Sequence, residues 1–164
     1  MMKKLLTTCL FSVLALAVTV TAEAQYTVGG GLMYGSEIEQ FGIRADGFYT
    51  INEDFRIGAT LGYFFPDEFN GTSFNWFDLD FNGNYFFLNE DELSLYGLGG
   101  LNFAFLSINN DNAPNYSETE VGLNLGGGLE YMLDFASLFG ELKLAGLGGD
   151  ADQLVLGAGL RFSL

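Results

Sequence analysis

The segment from Gln153 to Leu164 reads Gln-Leu-Val-Leu-Gly-Ala-Gly-Leu-Arg-Phe-Ser-Leu and decides the fold class. Successive side chains of an extended strand point to opposite faces. One face of this segment is therefore apolar and carries Leu154, Leu156, Ala158, Leu160, Phe162 and Leu164. The other face is small or polar and carries Gln153, Gly157, Gly159, Arg161 and Ser163, with only Val155 out of pattern. We expect this last strand to pair with the first one, which closes a sheet into a barrel.

Seven earlier segments alternate in the same way, and no helical periodicity is found after residue 24. They are predicted to begin at Tyr26, Gln40, Phe55, just after Ser73, Leu93, Glu120 and Leu138. Short turns separate them at 52–54, 89–92 and 134–137, while longer connections are predicted at 66–73 and 107–119. The sequence therefore predicts an all-β fold, an eight-stranded antiparallel up-and-down barrel.

Residues 1–24 have the pattern of a cleavable secretory signal peptide. Lys3 and Lys4 precede an apolar run from Leu5 to Val20, and Ala22-Glu23-Ala24 forms a cleavage site of the small-x-small type. The apolar run is somewhat short for a transmembrane anchor. We therefore expect a signal peptide over 1–24 and one barrel domain over 25–164.

The composition after residue 24 excludes several classes of function. Four basic residues face twenty acidic ones, a net charge of −16, which argues against binding to nucleic acid or to anionic lipid surfaces. The chain has no histidine, and its one cysteine, Cys9, lies in the predicted signal peptide. Without His or Cys there is no ordinary way to activate a nucleophile, so no enzymatic activity, catalytic residue or cofactor is expected. The glycine clusters lack a complete phosphate-binding fingerprint.

Alternation alone does not say which face is inside, because a soluble lipocalin-type barrel has the same period. Three features favour an outward apolar face in contact with lipid. The charged face carries almost no lysine, many glycines and the aromatics Phe48, Phe64, Trp76, Phe86 and Tyr96. The turns at one end are short, and the aromatics of the apolar face fall into two bands. These predicted interfacial girdles are Tyr26, Tyr49, Phe55, Tyr85, Phe87, Tyr131 and Phe162 at one end, and Tyr34, Phe41, Tyr63, Phe65, Phe77, Phe103 and Phe105 at the other.

The alternating strands, the stretch from Tyr96 to Phe103 and the ending Gly159-Leu160-Arg161-Phe162 resemble the small outer-membrane β-barrel proteins of the OmpX type and the transmembrane half of OmpA. Such barrels usually end in an aromatic residue, whereas here Phe162 precedes Leu164 by two positions. The resemblance implies an integral outer-membrane protein, and the even number of strands predicts that both termini face the periplasm. The resemblance also implies contact with outer-membrane lipid, and with periplasmic chaperones and the barrel-assembly machinery during biogenesis. A monomer is expected.

The inward face is predicted to carry a network of paired charges, because buried charges need partners. Its members are Arg44, Asp46, Arg56, Asp78, Asp80, Glu120, Glu130, Glu141, Lys143 and Arg161. Asp78 and Asp80 alone supply too few ligands for calcium, so no metal site is expected. Two functions stay open: a closed barrel that serves envelope structure or surface interaction through its outer loops, and a narrow porin-like channel for water or small cations.

Overall fold

The computed structural model describes residues 25–69, 72–110 and 116–164. The predicted signal peptide lies outside the described residues. Eight strands follow one another: β1 (Tyr26–Gly35), β2 (Gln40–Asn52), β3 (Phe55–Phe69), β4 (Thr72–Asn89), β5 (Leu93–Asn110), β6 (Tyr116–Met132), β7 (Ser137–Leu147) and β8 (Gln153–Ser163). Each pairs with its neighbours in the chain, and β1 pairs antiparallel with β8 to close the barrel. The predicted fold class is confirmed. In this part of the chain, no helix is long and apolar enough to cross a membrane.

The seam between β1 and β8 depends on glycine. The two strands pair from Thr27 opposite Ser163 to Gly35 opposite Val155. A methyl group on Gly159 would lie 2.1 Å from the carbonyl oxygen of Gly30, which is closer than any side-chain carbon can approach. Glycine is therefore required at this position for the first and last strands to come together.

Four strands extend beyond their predicted limits at the end of the barrel opposite the termini. β3 ends at Phe69 instead of Phe65, β5 ends at Asn110 instead of Leu106, and β6 begins at Tyr116 instead of Glu120. β4 likewise begins at Thr72, and a register shift between Phe64 and Asp67 accommodates Pro66. Most of the two predicted long loops is therefore strand. Their Ser, Asn and Asp content favours loops, but cross-strand pairing satisfies the backbone regardless of that content.

The two faces of the sheet are sharply different in exposure. Leu32 on the outer face is 63% exposed, whereas Phe64 and Arg161 on the inner face are 0% and 1% exposed. Val155, the exception in the alternating pattern, points inward and is 2% exposed. From the termini end up to the level of Phe77 and Phe105, the outer face is thus mostly apolar, and the buried charged side chains lie inside.

Arginine placed at two depths on the outer face of β4 tests whether that face meets lipid. Phe81 and Phe87 both point outward and are 50% and 65% exposed, but Phe81 lies midway along the strand and Phe87 near its end. We expect Phe81→Arg to lower the free energy of unfolding by about 2–4 kcal/mol and Phe87→Arg by about 0–1 kcal/mol, since the cost of arginine depends on membrane depth. Urea titration of the barrel folded into lipid vesicles measures both values. Equal costs at the two positions would contradict a lipid-facing outer surface.

Candidate functional site

The arginine of β8, Arg161, joins strands across the lumen of the barrel. Its Nε and Nη2 donate to Asp46 Oδ2 at 3.1 and 3.0 Å. Its Nη1 donates to the Tyr96 hydroxyl at 2.9 Å and to Glu130 Oε1 at 2.5 Å. Its Nη2 also donates to Glu141 Oε2 at 3.3 Å. These acceptors belong to β2, β5, β6 and β7, so a single guanidinium group links five of the eight strands.

Two further arginines share the same acids. Arg44 Nη1 donates to Glu141 Oε1 at 2.8 Å, and Arg44 Nε donates to Asp46 Oδ1 at 3.0 Å. Both terminal nitrogens of Arg56 donate to the carboxylate of Glu130. Each acid of this layer therefore accepts from two arginines, and charge-assisted hydrogen bonds of this kind are the strong ones.

Aromatic rings cover the guanidinium groups of this charged layer. Arg161 Cζ lies 4.0 Å from the centroid of the Phe139 ring and 4.7 Å from that of Phe48. Arg56 Cζ lies 4.2 Å from the Phe48 ring and 4.8 Å from the Phe86 ring. Stacking of this kind adds cation–π attraction to the ion pairs and fills the lumen between them. The sequence interpretation included Phe48 and Phe86 but missed Phe139, which its position on the inward face of β7 could have indicated.

A second layer, rich in amides, lies beyond the charged one. Lys143 Nζ pairs with Asp80 Oδ2. Asn102 and Asn124 donate to Asp80 Oδ1 at 2.8 and 2.9 Å, and Asn124 also donates to Asn82 Oδ1 at 2.9 Å. All five side chains are at least nine-tenths buried. A carboxylate with three donors needs no water to satisfy it, so this layer is held by direct protein contacts.

A third, apolar layer lies nearest the extended strands. Its buried members are Met33, Phe64, Ala145 and Val155, with Ile38 and Trp76 packed against them. The rings of Phe64 and Trp76 meet edge to face with centroids 6.3 Å apart. The sequence interpretation expected Phe64 and Trp76 to face inward, but it did not connect Met33 and Val155 with them. That connection depends on strand register, which the alternating pattern alone does not fix.

Two residues of the predicted network lie outside the ion pairs found among the described residues. Asp78 is buried and accepts from Trp76 Nε1 at 2.6 Å. Glu120 is half-buried on β6, near the extended end of the barrel. The other eight predicted residues are brought together in seven ion pairs. Four acids of the predicted network are buried and two, Glu120 and Glu130, are half-buried. These six acids outnumber the four bases, which leaves the lumen negative.

The residues of the predicted girdles lie on the outer face at the two ends of the barrel. Eleven of the fourteen are exposed, and Tyr34, Phe55 and Phe103 are partly buried by their neighbours. Ring pairs join adjacent strands at both ends, with centroids 5.2 Å apart for Tyr26 and Tyr49 and 5.8 Å apart for Phe77 and Phe105. The ring of Phe103 instead lies 6.2 Å from that of Phe81, which is closer to the middle of the barrel.

A polar cavity of about 290 Å³ lies at the termini end of the barrel. Its lining consists of Asn89, Glu90, Asp91, Ser94, Glu130, Met132 and Ser137. The side chain of Glu130 is 13% exposed, whereas that of Arg161 is 0% exposed. Water therefore reaches the edge of the charged layer from this end but not the guanidinium behind it. Within the described ranges, no group of three or more acidic, His or Cys side chains is arranged to hold a metal ion.

Removal of the Arg161 side chain tests how much the charged layer contributes to stability. We expect Arg161→Met to lower the free energy of unfolding by about 3–5 kcal/mol, since it leaves Asp46, Glu130 and Glu141 with less positive charge in a buried site. The matched control is Glu120→Gln, which removes a charge outside these ion pairs and should change stability by about 0.5 kcal/mol or less. Urea titration in lipid vesicles measures both. A loss below about 1 kcal/mol for Arg161→Met would contradict the network as a source of stability.

No protein-family model matches the sequence, and no curated protein matches it. Three similar solved structures are small outer-membrane barrels. Neisserial surface protein A (NspA) has 18% identity, with 85% of this chain and 97% of that chain covered and a TM-score of 0.69. The N-terminal β-barrel domain of Pseudomonas aeruginosa OprF has 15% identity, 85% and 98% coverage and a TM-score of 0.68. Ail, the attachment invasion locus protein of Yersinia pestis, was solved with the heparin analogue sucrose octasulfate; it has 17% identity, 84% and 96% coverage and a TM-score of 0.58. The chain therefore has the fold of the small eight-stranded outer-membrane β-barrels, as its resemblance to the OmpX and OmpA type implied.

Proposed function

We propose that this chain is a non-enzymatic integral outer-membrane barrel with a lumen closed by side chains, and that it serves the envelope or binds partners at its outer end. The observation that carries the proposal is the Arg161 guanidinium, which is fully buried and bonded to four other strands across the lumen. An eight-stranded barrel is only wide enough to be filled by side chains. Because the Arg161 side chain and its partners span this narrow lumen, they leave no continuous path for solutes.

The absence of histidine from the sequence, and of cysteine after residue 24, supports the non-enzymatic part of the proposal.

The orientation of the barrel in the membrane is supported by the lengths of the strands. Both ends of the described chain, Gln25 and Leu164, lie at the end with short turns, and the extended strands β3 to β6 project from the other end. Outer-membrane barrels have short periplasmic turns and longer outer segments. We therefore place the termini in the periplasm and the extended strands outside the cell.

The names of two similar structures support a role at the cell surface. One is called a surface protein and another an attachment invasion locus protein. For this chain we accordingly propose surface interaction through the extended strands, with the aromatic girdles at the two membrane interfaces. We also propose that it is a monomer in outer-membrane lipid and that periplasmic chaperones and the barrel-assembly machinery insert it.

A narrow cation channel is the second candidate, and the excess of acids over bases in the lumen favours it. Asp78 is buried without an ion pair among the described residues, and Glu130 borders the polar cavity at the termini end. Carboxylates along a pore attract cations. On this alternative, water would have to pass both the charged layer and the apolar layer around Phe64.

Conductance across a planar lipid bilayer separates the two candidates. We expect the folded protein to give no stable conductance, or at most small cation-selective events, because aromatic rings and ion pairs fill the lumen. Heat-modifiable migration on gels establishes that the reconstituted protein is folded. As a positive control, Phe48→Ala combined with Phe139→Ala removes two inward rings and should raise conductance. The matched pair Phe81→Ala with Phe87→Ala removes two outward rings and should leave it unchanged.

Large, long-lived and weakly selective openings of the unmodified protein would contradict the closed lumen and favour the channel. Equal conductance in the inward and outward variants would contradict the assignment of the Phe48 and Phe139 rings as the barrier.

A further inference from the structure

The alternation of polar and apolar side chains reverses where the extended strands leave the membrane region. Along the barrel the outward side chains are apolar, as at Phe77 and Phe105, which are 37% and 39% exposed. Beyond them the outward positions are polar. These are Ser73 and Asn75 on β4, Ser107 on β5 and Ser117 on β6. A surface that changes from apolar to polar along the same strands marks the boundary between lipid and water.

The inward positions of β4 and β5 change in the opposite sense, from polar to apolar, whereas β6 carries Glu118 and Glu120 at its inward positions beside them. Five side chains form this inner apolar face: Phe74, Trp76, Leu106, Ile108 and Tyr116. Strand register holds them together, since Phe74 is opposite Ile108, Trp76 is opposite Leu106 and Ile108 is opposite Tyr116. Ring contact with the buried Phe64 fixes Trp76 on the lumen side. The face therefore continues the apolar layer of the lumen up into the projecting strands.

This inner apolar face is incompletely covered. Phe74 is 45% exposed and Tyr116 is 57% exposed, although both lie one position beyond the outward polar residues Asn75 and Ser117. A contiguous apolar surface in water is a common mark of a binding site. Leu106 and Ile108 between them are partly buried, which gives the exposed rings a packed base.

The charges around the inner apolar face have one sign. All four basic residues after residue 24 are at least nine-tenths buried in the lumen, so none is free to face the outside. Exposed acids lie at the same end of the barrel, on the extended strand β6 and on the two short connections: Glu37, Glu39, Glu118, Asp150 and Asp152. The Tyr116 hydroxyl donates to Glu118 Oε2 at 3.0 Å, and this hydrogen bond raises the pKa of Tyr116. Among the described residues, the exposed charges at this end of the barrel are therefore all carboxylates, which form an acidic rim.

We propose that the inner apolar face binds a cationic, amphipathic segment of another protein. Apolar side chains of the partner would cover Phe74 and Tyr116, and its Lys or Arg side chains would pair with Glu118 and the neighbouring acids. A second copy of this chain is a poor occupant, because it would bring the same acidic rim against the first. The inference rests on the proposed outward orientation of the extended strands.

Trp76 makes binding at this face directly measurable, since it is the only tryptophan in the chain. The probe is a synthetic peptide of alternating Lys and Leu without tryptophan, titrated into the folded barrel in zwitterionic lipid vesicles. We expect a saturable blue shift of Trp76 emission as the peptide excludes water from the face, and weaker binding as salt increases. The matched peptide of alternating Glu and Leu should give no shift. Vesicles without protein provide the background.

Three variants locate the binding site. Phe74→Asn should weaken binding about tenfold or more, the loss expected for one large apolar contact. Glu118→Gln should weaken it about two- to fivefold and reduce its salt dependence, as expected for one exposed ion pair. The control is Asn75→Ser, on the opposite face of the same strand, which should bind as the unmodified protein does.

Equal binding of the Glu-Leu peptide, or unchanged affinity in Phe74→Asn, would overturn the proposal. A barrel that gives no Trp76 response but also no conductance would refute the binding face and leave the closed lumen intact. Large conductance with a normal Trp76 response would refute the closed lumen and leave the binding face intact.

Discussion

Burial of Arg161 is the interaction on which the rest of this barrel depends. An unpaired charge in a water-poor lumen costs several kcal/mol, so the guanidinium is compatible with the fold only if acids reach it from other strands. Asp46, Glu130 and Glu141 do so from three different strands. Each of these acids can contact Arg161 only when the barrel is closed and its strands are in register. The charged layer therefore couples strand order, register and closure in one set of contacts.

The same narrow lumen explains the three layers along the barrel. Guanidinium groups stacked on aromatic rings fill the layer nearest the termini, amides around Asp80 fill the next, and apolar side chains around Phe64 fill the last. Where the outer face meets lipid, most of the inward polar side chains satisfy one another; among the described residues, the exceptions are Asn124 Oδ1 and both polar atoms of the Gln153 side chain. Beyond the lipid boundary that arrangement reverses, so that Ser and Asn face outward and Phe74 and Tyr116 face inward. The closed lumen and the proposed binding face thus have one cause: the outward side chains of the same alternating strands face lipid along the barrel and water beyond it.

Much of the fold follows from period-two alternation, but the contacts inside the barrel do not. The inward and outward assignments of Phe81 and Arg161, and the short turn between Asn89 and Leu93, are readable in the sequence because each is a local property. Arg56 and Glu130, in contrast, are 74 positions apart, and only three-dimensional closure pairs them. The sequence predicts loops where the strands extend, because Ser, Asn and Asp are weak strand formers. Pairing with neighbouring strands nevertheless orders these residues as strand. Val155 is an apolar residue on the inward face of β8, which is otherwise small or polar. It is explained by the strand register, which brings it into contact with the apolar layer around Phe64.

A double-mutant cycle between Arg161 and Asp46 tests most directly whether the buried network holds the barrel together. The free energies of unfolding in lipid vesicles would be measured for Arg161→Met, Asp46→Asn and the double variant. We expect a coupling energy above about 1 kcal/mol, because Arg161→Met leaves Asp46 with only one of its two arginine partners, so that the loss of the Asp46 charge costs less in that background. Effects that add to within about 0.5 kcal/mol would contradict it, since additivity is the behaviour of residues that do not interact.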